Sequence, residues 1–108
     1  MIYELRTYEV LPGRMPALHE RFANTTVKFF EKHGIKVIGF WNQEIGVSNE
    51  FVYMIAFDSL AHREKAWGAF QNDPEWVKAR AESERETGPF STRNSNKILR
   101  PTPYSPLQ

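Results

Sequence analysis

The stretch FVYMIAF at residues 51–57 decides the fold that this sequence predicts. Aromatic and β-branched side chains are typical of strands, and apolar residues occupy its odd and even positions alike. Because successive side chains of a strand point to opposite faces, this strand is apolar on both sides. Such a strand belongs in the centre of a sheet, with another layer packed against each face.

The segments around that strand alternate between extended and helical patterns. We predict strands over 2–10, 35–41 and 96–100, a helix over 15–33, a helix from Ser59 to about Gln71, and a further helical piece that begins at Asp73. The resulting order, βαββαβ, predicts an α+β, ferredoxin-like fold in which a four-stranded antiparallel sheet carries its helices on one face. With 108 residues, the chain is expected to form a single domain, 1–108.

The first helix has a clear apolar arc. At 100° per residue, six residues fall within about 80° of one another: Met15, Leu18, Phe22, Thr26, Phe29 and His33. We therefore expect this arc to face the sheet. Gly34 follows the last turn, at a position where a residue with positive φ commonly closes a helix.

Helices on one side leave the second apolar face of the sheet without a cover. A large apolar patch exposed to water is unusual for a soluble protein. Packing two identical sheets face to face about a two-fold axis removes both patches from water. The sequence therefore predicts a homodimer, with the proline-rich residues 101–108 as an extended C-terminal arm.

Composition argues against several classes of function. Fourteen basic and thirteen acidic residues give a net charge of +1, which predicts no binding of nucleic acid. No apolar run approaches 18 residues, so we expect no membrane span. A strand that begins at Ile2 leaves no room for a targeting segment, and a cytoplasmic protein is therefore expected.

Metal and cofactor motifs are not found in the sequence. The absence of cysteine removes thiolate ligands, and no phosphate-binding or dinucleotide-binding glycine motif is present. His19 and His33 lie on one helix about 21 Å apart, which is too far for a shared metal ion. We therefore expect neither a metal nor a cofactor.

Two polar residues fall on apolar helix arcs and are candidates for a site. His33, at the end of the first helix, is a candidate catalytic base, or alternatively a packed imidazole stabilised by the helix dipole. Arg63 lies between apolar positions of the next helix, where a guanidinium needs an anionic partner. Glu4 or Asp58 within the chain, or the anionic group of a bound molecule, would serve as that partner.

Glu4 and Arg6 share one face of the first strand, with Tyr8 beyond them, and we interpret them as an ion pair at the dimer seam, or alternatively as a catalytic pair. Aromatic residues supply the remaining candidates. The residues predicted to line a cleft between helices and sheet, where a small aromatic ligand binds, are Trp41, Tyr53, Trp67 and Trp76, although the same residues also suit an ordinary core.

Several motifs in a fixed order resemble the NIPSNAP family. They are ELRTY at 4–8, Pro12-Gly13, GFW at 39–41, FDS at 57–59 with Arg63, DPEW at 73–76 and LRPTPYSP at 99–106. The resemblance covers nearly the whole chain and implies a dimeric α/β-barrel fold. It also suggests a compact bacterial member, and it implies no established reaction or catalytic residue.

Three functions are consistent with these observations. The first is a homodimer that binds a small aromatic or apolar molecule in the helix–sheet cleft. The second is a cofactor-independent monooxygenase or isomerase acting on an aromatic or quinone-like substrate, with His33 as the base; haem degradation is a weaker form of it. The third is a protein-interaction module. Fold analogy alone does not choose among them.

Overall fold

A computed structural model describes residues 1–108. Its elements are β1 (Ile2–Val10), α1 (Met15–Arg21), a π-helical turn (Phe22–Thr26), α2 (Val27–Lys32), β2 (Lys36–Asn42), β3 (Glu50–Phe57), α3 (Leu60–Gln71), α4 (Pro74–Glu84) and β4 (Ser91–Leu99). The four strands form one antiparallel sheet in the order β2-β3-β1-β4. The predicted α+β, ferredoxin-like fold is therefore confirmed, with the apolar strand β3 inside the sheet.

The residues predicted to begin and end the helices do so. Gly34 adopts φ of 69° immediately after the first helix. Ser59 caps α3, because its hydroxyl accepts a hydrogen bond from the His62 amide at 3.1 Å. Asp73 caps α4 in the same way, and Pro74 occupies the first helical position.

The first helix differs from the expected regular helix by one π turn. Its signature is a hydrogen bond from the Val27 amide to the carbonyl of Phe22, five residues earlier. The π turn contains about one residue more than a turn of α-helix. Each side chain after it therefore points in the direction that the side chain of the preceding residue would have in a regular α-helix. Phe30 is consequently buried at 1% exposure, whereas Phe29 and His33 lie at the margin of the core. The apolar arc predicted through Phe29 and His33 is therefore wrong beyond the π turn.

The last strand is longer than predicted. It covers Ser91–Leu99 rather than 96–100, and most of its residues are exposed. Its polar sequence gives no alternation of apolar and polar residues from which a strand is recognised. Pairing with β1 along its length defines it instead.

The two faces of the sheet have different surroundings. Arg6 lies opposite Tyr53 in the β1–β3 pairing, on the face covered by the helices, and Glu4 and Tyr8 share that face. The core forms between this face and the helices. Glu4 and Arg6 are thus beneath the helices, and their predicted position at a seam between two open sheet faces is wrong.

The opposite face, which we call the open face, is only partly covered. Tyr3 lies at one end of it and donates a hydrogen bond from its hydroxyl to the Gln108 carbonyl. Residues 101–108 contain no helix or strand and are not straight, since they fold back through a turn near Ser105 against the chain's own sheet. Leu5, on the same face, remains half-buried.

Among the helices of this structure, none combines the length and the apolar character that a membrane span requires.

Candidate functional site

A cavity of about 90 Å³ lies between the helices and the covered face of the sheet. The side chains of Arg6 and Tyr8 on β1 and of Tyr53 on β3 form its floor. Aromatic side chains from the π turn and from α3 contribute its walls, among them Phe22 and Trp67. The predicted ligand residues Tyr53 and Trp67 are therefore brought together at one site.

The floor combines a buried cation with two phenols. The Tyr8 and Tyr53 hydroxyl oxygens are 2.8 Å apart and share a hydrogen bond. The Arg6 guanidinium carbon lies 4.5 Å from the centre of the Trp67 ring and faces the aromatic π-system. Burial, followed by the neighbouring Tyr8, raises the pKa of Tyr53 well above its usual value, so the phenol is neutral at physiological pH.

A fully buried carboxylate holds Arg6 in place. Glu4 has no exposed surface and accepts a hydrogen bond from Arg6 Nη1 at 2.8 Å and from Asn96 Nδ2 at 2.9 Å. Arg63 binds the same carboxylate through two bonds, from Nε at 2.7 Å and from Nη2 at 3.1 Å. Burial opposes ionisation of Glu4, but the hydrogen bonds from these three side chains outweigh it and lower its pKa. Glu4 is thus an ionised carboxylate shared by two arginines.

A second arrangement of the same kind lies at the outer end of the cavity. Glu84 accepts a hydrogen bond from Arg21 Nη1 at 3.1 Å and from Arg80 Nε at 3.2 Å. Arg21 also lies over the ring of Phe90, with its guanidinium carbon 4.4 Å from the ring centre. The charged residues that line the cavity are therefore three arginines and one glutamate.

Three buried polar atoms of residues that line the cavity have no partner in the protein. They are Nε of Arg6, whose side chain is 12% exposed, Nε of Arg21, whose side chain is 10% exposed, and the hydroxyl of Thr26, a residue that is 2% exposed. A threonine in a regular helix often bonds back to the carbonyl four residues earlier. The π turn changes this geometry, and Thr26 is left unpaired. A buried polar group without a partner costs about 1–3 kcal/mol, so such groups usually signal a role.

The other predicted site residues lie elsewhere. Arg63 does not line the cavity, and its bidentate contact with Glu4 is the internal pairing that the sequence offered as one alternative. Asp58 is not its partner. Trp41 is 48% exposed on the edge strand β2 and borders a separate, more open groove beside α1, together with His19.

His33 is also outside the cavity. Its Nε2 lies 2.7 Å from Oδ2 of Asp73, which also receives Lys32 Nζ at 2.9 Å. These two side chains, together with the Glu75 amide that Asp73 caps, hold the pKa of Asp73 far below its usual value. His33 therefore joins the end of the first helix to the start of α4. Nowhere in residues 1–108 do three His, Asp or Glu side chains approach closely enough to hold a metal ion.

Sequence reasoning missed part of the site. The strand pattern places Arg6 and Tyr8 at a dimer seam, because an alternating strand does not reveal which of its faces meets the helices. Arg80 and Glu84 stand four residues apart on α4, a spacing typical of a solvated ion pair, and nothing marks them as the outer end of a cavity. Thr26 sat on the predicted apolar arc, but a π turn has no distinct sequence signal.

Distant structures place this architecture in a class. A putative antibiotic biosynthesis monooxygenase from Nitrosomonas europaea is 11% identical, with a TM-score of 0.65 over 94% of this chain and 98% of that chain. A mutant of MhuD, with two manganese protoporphyrin IX molecules bound per active site, is 21% identical, with a TM-score of 0.60 over 93% of each chain. At these identities the likeness concerns the fold alone, which is ferredoxin-like.

The family follows from closer similarity. Residues 3–106 match NIPSNAP, and the chain belongs to that family, as its motifs predicted. A NIPSNAP family protein of unknown function from Agrobacterium tumefaciens is 30% identical, with a TM-score of 0.86 over 100% of this chain and 94% of that chain.

Two curated relatives are longer proteins. Protein NipSnap homolog of Dictyostelium discoideum is 25% identical over 107 residues, which is 99% of this chain and 40% of that protein. Protein NipSnap homolog 3B of Mus musculus is 35% identical over 75 residues, which is 68% of this chain and 30% of that protein. The chain therefore spans less than half the length of either relative.

Proposed function

We propose that this NIPSNAP domain is a homodimer that binds a small aromatic molecule in the helix–sheet cavity of each protomer. The proposal rests on one observation: the cavity has aromatic walls, and residues that line it carry buried polar groups without partners. The most important of these groups is the Thr26 hydroxyl, Oγ1. Binding sites for small molecules are mostly apolar with a few placed polar groups, and this cavity has that composition.

The volume of the cavity limits what it accepts. At about 90 Å³ it is smaller than the cavity of about 150 Å³ that is known to bind benzene in another protein. A single ring suits this space because the cavity opens at its outer end, where Arg80 and Asn94 are exposed. A porphyrin does not fit, and His33 is not positioned to ligate haem iron. The cavity thus gives no support to haem degradation.

The side chains favour binding over acid–base catalysis. No histidine lines the cavity, and its one lining carboxylate, Glu84, is paired with two arginines. The Tyr53 phenol is a poor base precursor because its pKa is raised. A monooxygenase or isomerase reaction that depends on His33 lacks its base at this site. No surface feature specifically favours the alternative of an interaction module.

Nuclear magnetic resonance of the indole groups is a direct test of ligand binding. Adding a panel of neutral single-ring compounds, including phenol and benzamide, is expected to shift the indole N–H signals of Trp67 and Trp76, which line the cavity. Trp41 lies outside it and serves as an internal reference. Saturable shifts confined to the two cavity tryptophans support the proposal, and equal shifts at all three indicate nonspecific binding.

A blocking substitution sharpens that test. Asn94→Trp places a bulky side chain at the exposed outer end of the cavity and is expected to weaken binding at least tenfold. Val77→Trp is the matched control, since Val77 is 52% exposed on α4 and does not line the cavity. If both variants bind as the original chain does, the ligand occupies another site.

The homodimer part of the proposal rests on the open face. Leu5, Val52 and Met54 form its half-buried centre, and Leu99 at its edge is 41% exposed. The folded-back residues 101–108 cover the part of this face near Tyr3 and border a groove that Met54 also lines. A second sheet packed against the remaining apolar centre would remove it from water.

Analytical ultracentrifugation at micromolar concentration is expected to detect a dimer. Met54→Glu places a charge in the centre of the open face and should convert the protein to monomers, because an unpaired charge is costly to bury in an interface. Val77→Glu, the same chemical change on the exposed side of α4, should leave the dimer intact. A stable, well-folded monomer of the original sequence would contradict this part of the proposal.

We also infer a bacterial, cytoplasmic setting for this protein. The support is the 30% identity to a bacterial protein, the NIPSNAP family structure from Agrobacterium tumefaciens. Fractionation of the source cells, with the protein expected in the soluble cytoplasmic fraction, tests this placement.

A further inference from the structure

The charges around the cavity occur in two matching groups. At the floor, Glu4 is shared by Arg6 and Arg63, and at the outer end Glu84 is shared by Arg21 and Arg80. Each group contains two cations and one anion, so each carries one net positive charge. The cavity between them therefore lies in a positive electrostatic environment, although the whole chain is nearly neutral.

The residues that line this positively charged cavity also include hydrogen-bond donors that have no acceptor in the protein. The Nη1 atom of Arg6 is used by Glu4, but its Nε has no partner in the protein. The Thr26 hydroxyl, 2% exposed on the π turn, is also unpaired and belongs to the same cavity. A charged donor and a hydroxyl are suited to an oxyanion, because hydrogen bonds to an ionised acceptor are the stronger kind.

We propose that the cavity selects aromatic anions, and that Arg6 and Thr26 bind the carboxylate or phenolate oxygen of the ligand. This inference rests on the proposed function and adds the charge of the ligand and the residues that recognise it. The apolar ring packs against the aromatic walls, including Trp67. The anionic oxygen pairs with the buried donors that the protein leaves unpaired.

Electrostatics also explain why a neutral ligand of the same shape binds less well. A neutral amide gains little from two net positive groups, and its own N–H donors meet further donors on Arg6 and Thr26. A carboxylate offers only acceptors and compensates the positive charge. Discrimination of this kind arises because a mismatched ligand leaves buried polar groups unpaired.

Benzoate and benzamide form the probe pair for this inference, because they match in shape and differ in charge. Titrations followed by the indole signals of Trp67 and Trp76 give both dissociation constants at low and at moderate salt. We expect benzoate to bind at least tenfold more tightly, with the difference reduced at higher salt. If both bind equally at the cavity, the proposed function holds and the anion selectivity is wrong. If neither binds there, the proposed function itself fails.

Thr26→Val keeps the shape of the side chain and removes its hydroxyl. We expect it to weaken benzoate binding about tenfold, the loss typical of one hydrogen bond to a charged group, while benzamide binding changes little. Thr25→Val is the matched control, since it makes the same change at the neighbouring residue, which does not line the cavity. An equal loss for benzoate in both variants would overturn the role assigned to Thr26.

Arg6→Gln tests the charge at the floor. Glu4 keeps its bonds from Arg63 and Asn96 in this variant, so the fold retains a compensated carboxylate. We expect the preference for benzoate over benzamide to fall to less than threefold. Circular dichroism confirms that the variant is folded, and in a folded variant an unchanged preference would overturn the proposal.

Discussion

Replacing Glu4 with alanine is expected to lower the free energy of unfolding by about 3 kcal/mol, because two guanidinium groups then lose a buried counter-charge. Broken buried ion pairs usually cost about 3–5 kcal/mol, and the lower end applies here since the Arg63 side chain is 26% exposed. The substitution also removes the acceptor for Asn96, which joins β4 to β1. Urea denaturation followed by circular dichroism measures the loss.

Two variants separate the charge of Glu4 from its packing. Glu4→Gln retains the size and one acceptor oxygen and should lose less than Glu4→Ala. Glu9→Ala, on the same strand, breaks an exposed pair with Arg93 and is expected to cost less than about 1 kcal/mol. Equal losses for Glu4→Ala and Glu9→Ala would show that the buried carboxylate is not a major source of stability.

The same carboxylate predicts the direction of the pH dependence. The pKa of Glu4 in the folded protein is lowered from its ordinary value of 4.5, because hydrogen bonds from Arg63, Asn96 and Arg6 outweigh the effect of burial. Its contribution to stability is therefore present above pH 4.5 and is lost as the pH falls through the lower folded value. Asp73, whose pKa is also lowered, acts in the same direction. Glu4→Gln should accordingly reduce, but not abolish, the loss of stability in acid.

Phe30→Ala is expected to cost about 3–5 kcal/mol, the usual loss when a buried phenylalanine is truncated. Phe30 is 1% exposed and packs against four aromatic rings, with ring centres 5.1 to 6.4 Å away: Phe22, Tyr53, Trp67 and Phe70. Chemical denaturation provides the measurement. Because Phe30 lines the cavity, the truncation also enlarges it, and added benzene should restore part of the lost stability.

Phe29→Ala is the matched control for this prediction. Phe29 precedes Phe30 on the same helix but is only partly buried, with Trp76 as its one aromatic neighbour, at 5.7 Å between ring centres. We expect it to cost at least 1 kcal/mol less than Phe30→Ala. The reverse order would mean that the first helix continues as a regular α-helix and that the π turn is misplaced.

Much of the fold is predictable because its signals are local. Capping by Ser59 and Asp73, closure at Gly34 and the apolar alternation of residues 51–57 each depend on a few neighbouring residues. The final strand was harder to predict, since its polar residues gain strand conformation only by pairing with β1. The residues of the last strand do not by themselves indicate a pairing with β1, which lies about 90 residues earlier in the sequence.

The site was only half predictable, for a geometric reason. Tyr53 and Trp67 line the helix–sheet cavity, and Arg63 pairs with an anion of the chain, Glu4. The predicted position of Arg6 is on the wrong face of the sheet. The alternation of side chains along a strand defines two faces but does not indicate which one packs against the helices. His33 was displaced from the site by a single extra residue in the π turn.

That extra residue has a practical consequence for anyone who plans surface labelling or charge engineering of this helix. Residues before Phe22 and after Thr26 follow two angular frames that differ by roughly a residue, about 100°. A helical wheel drawn straight through both halves misplaces the inward side of the second half by about 100°. Attachment points are better chosen from Lys28 and Glu31, which are solvent-exposed, than from any projection of the whole helix.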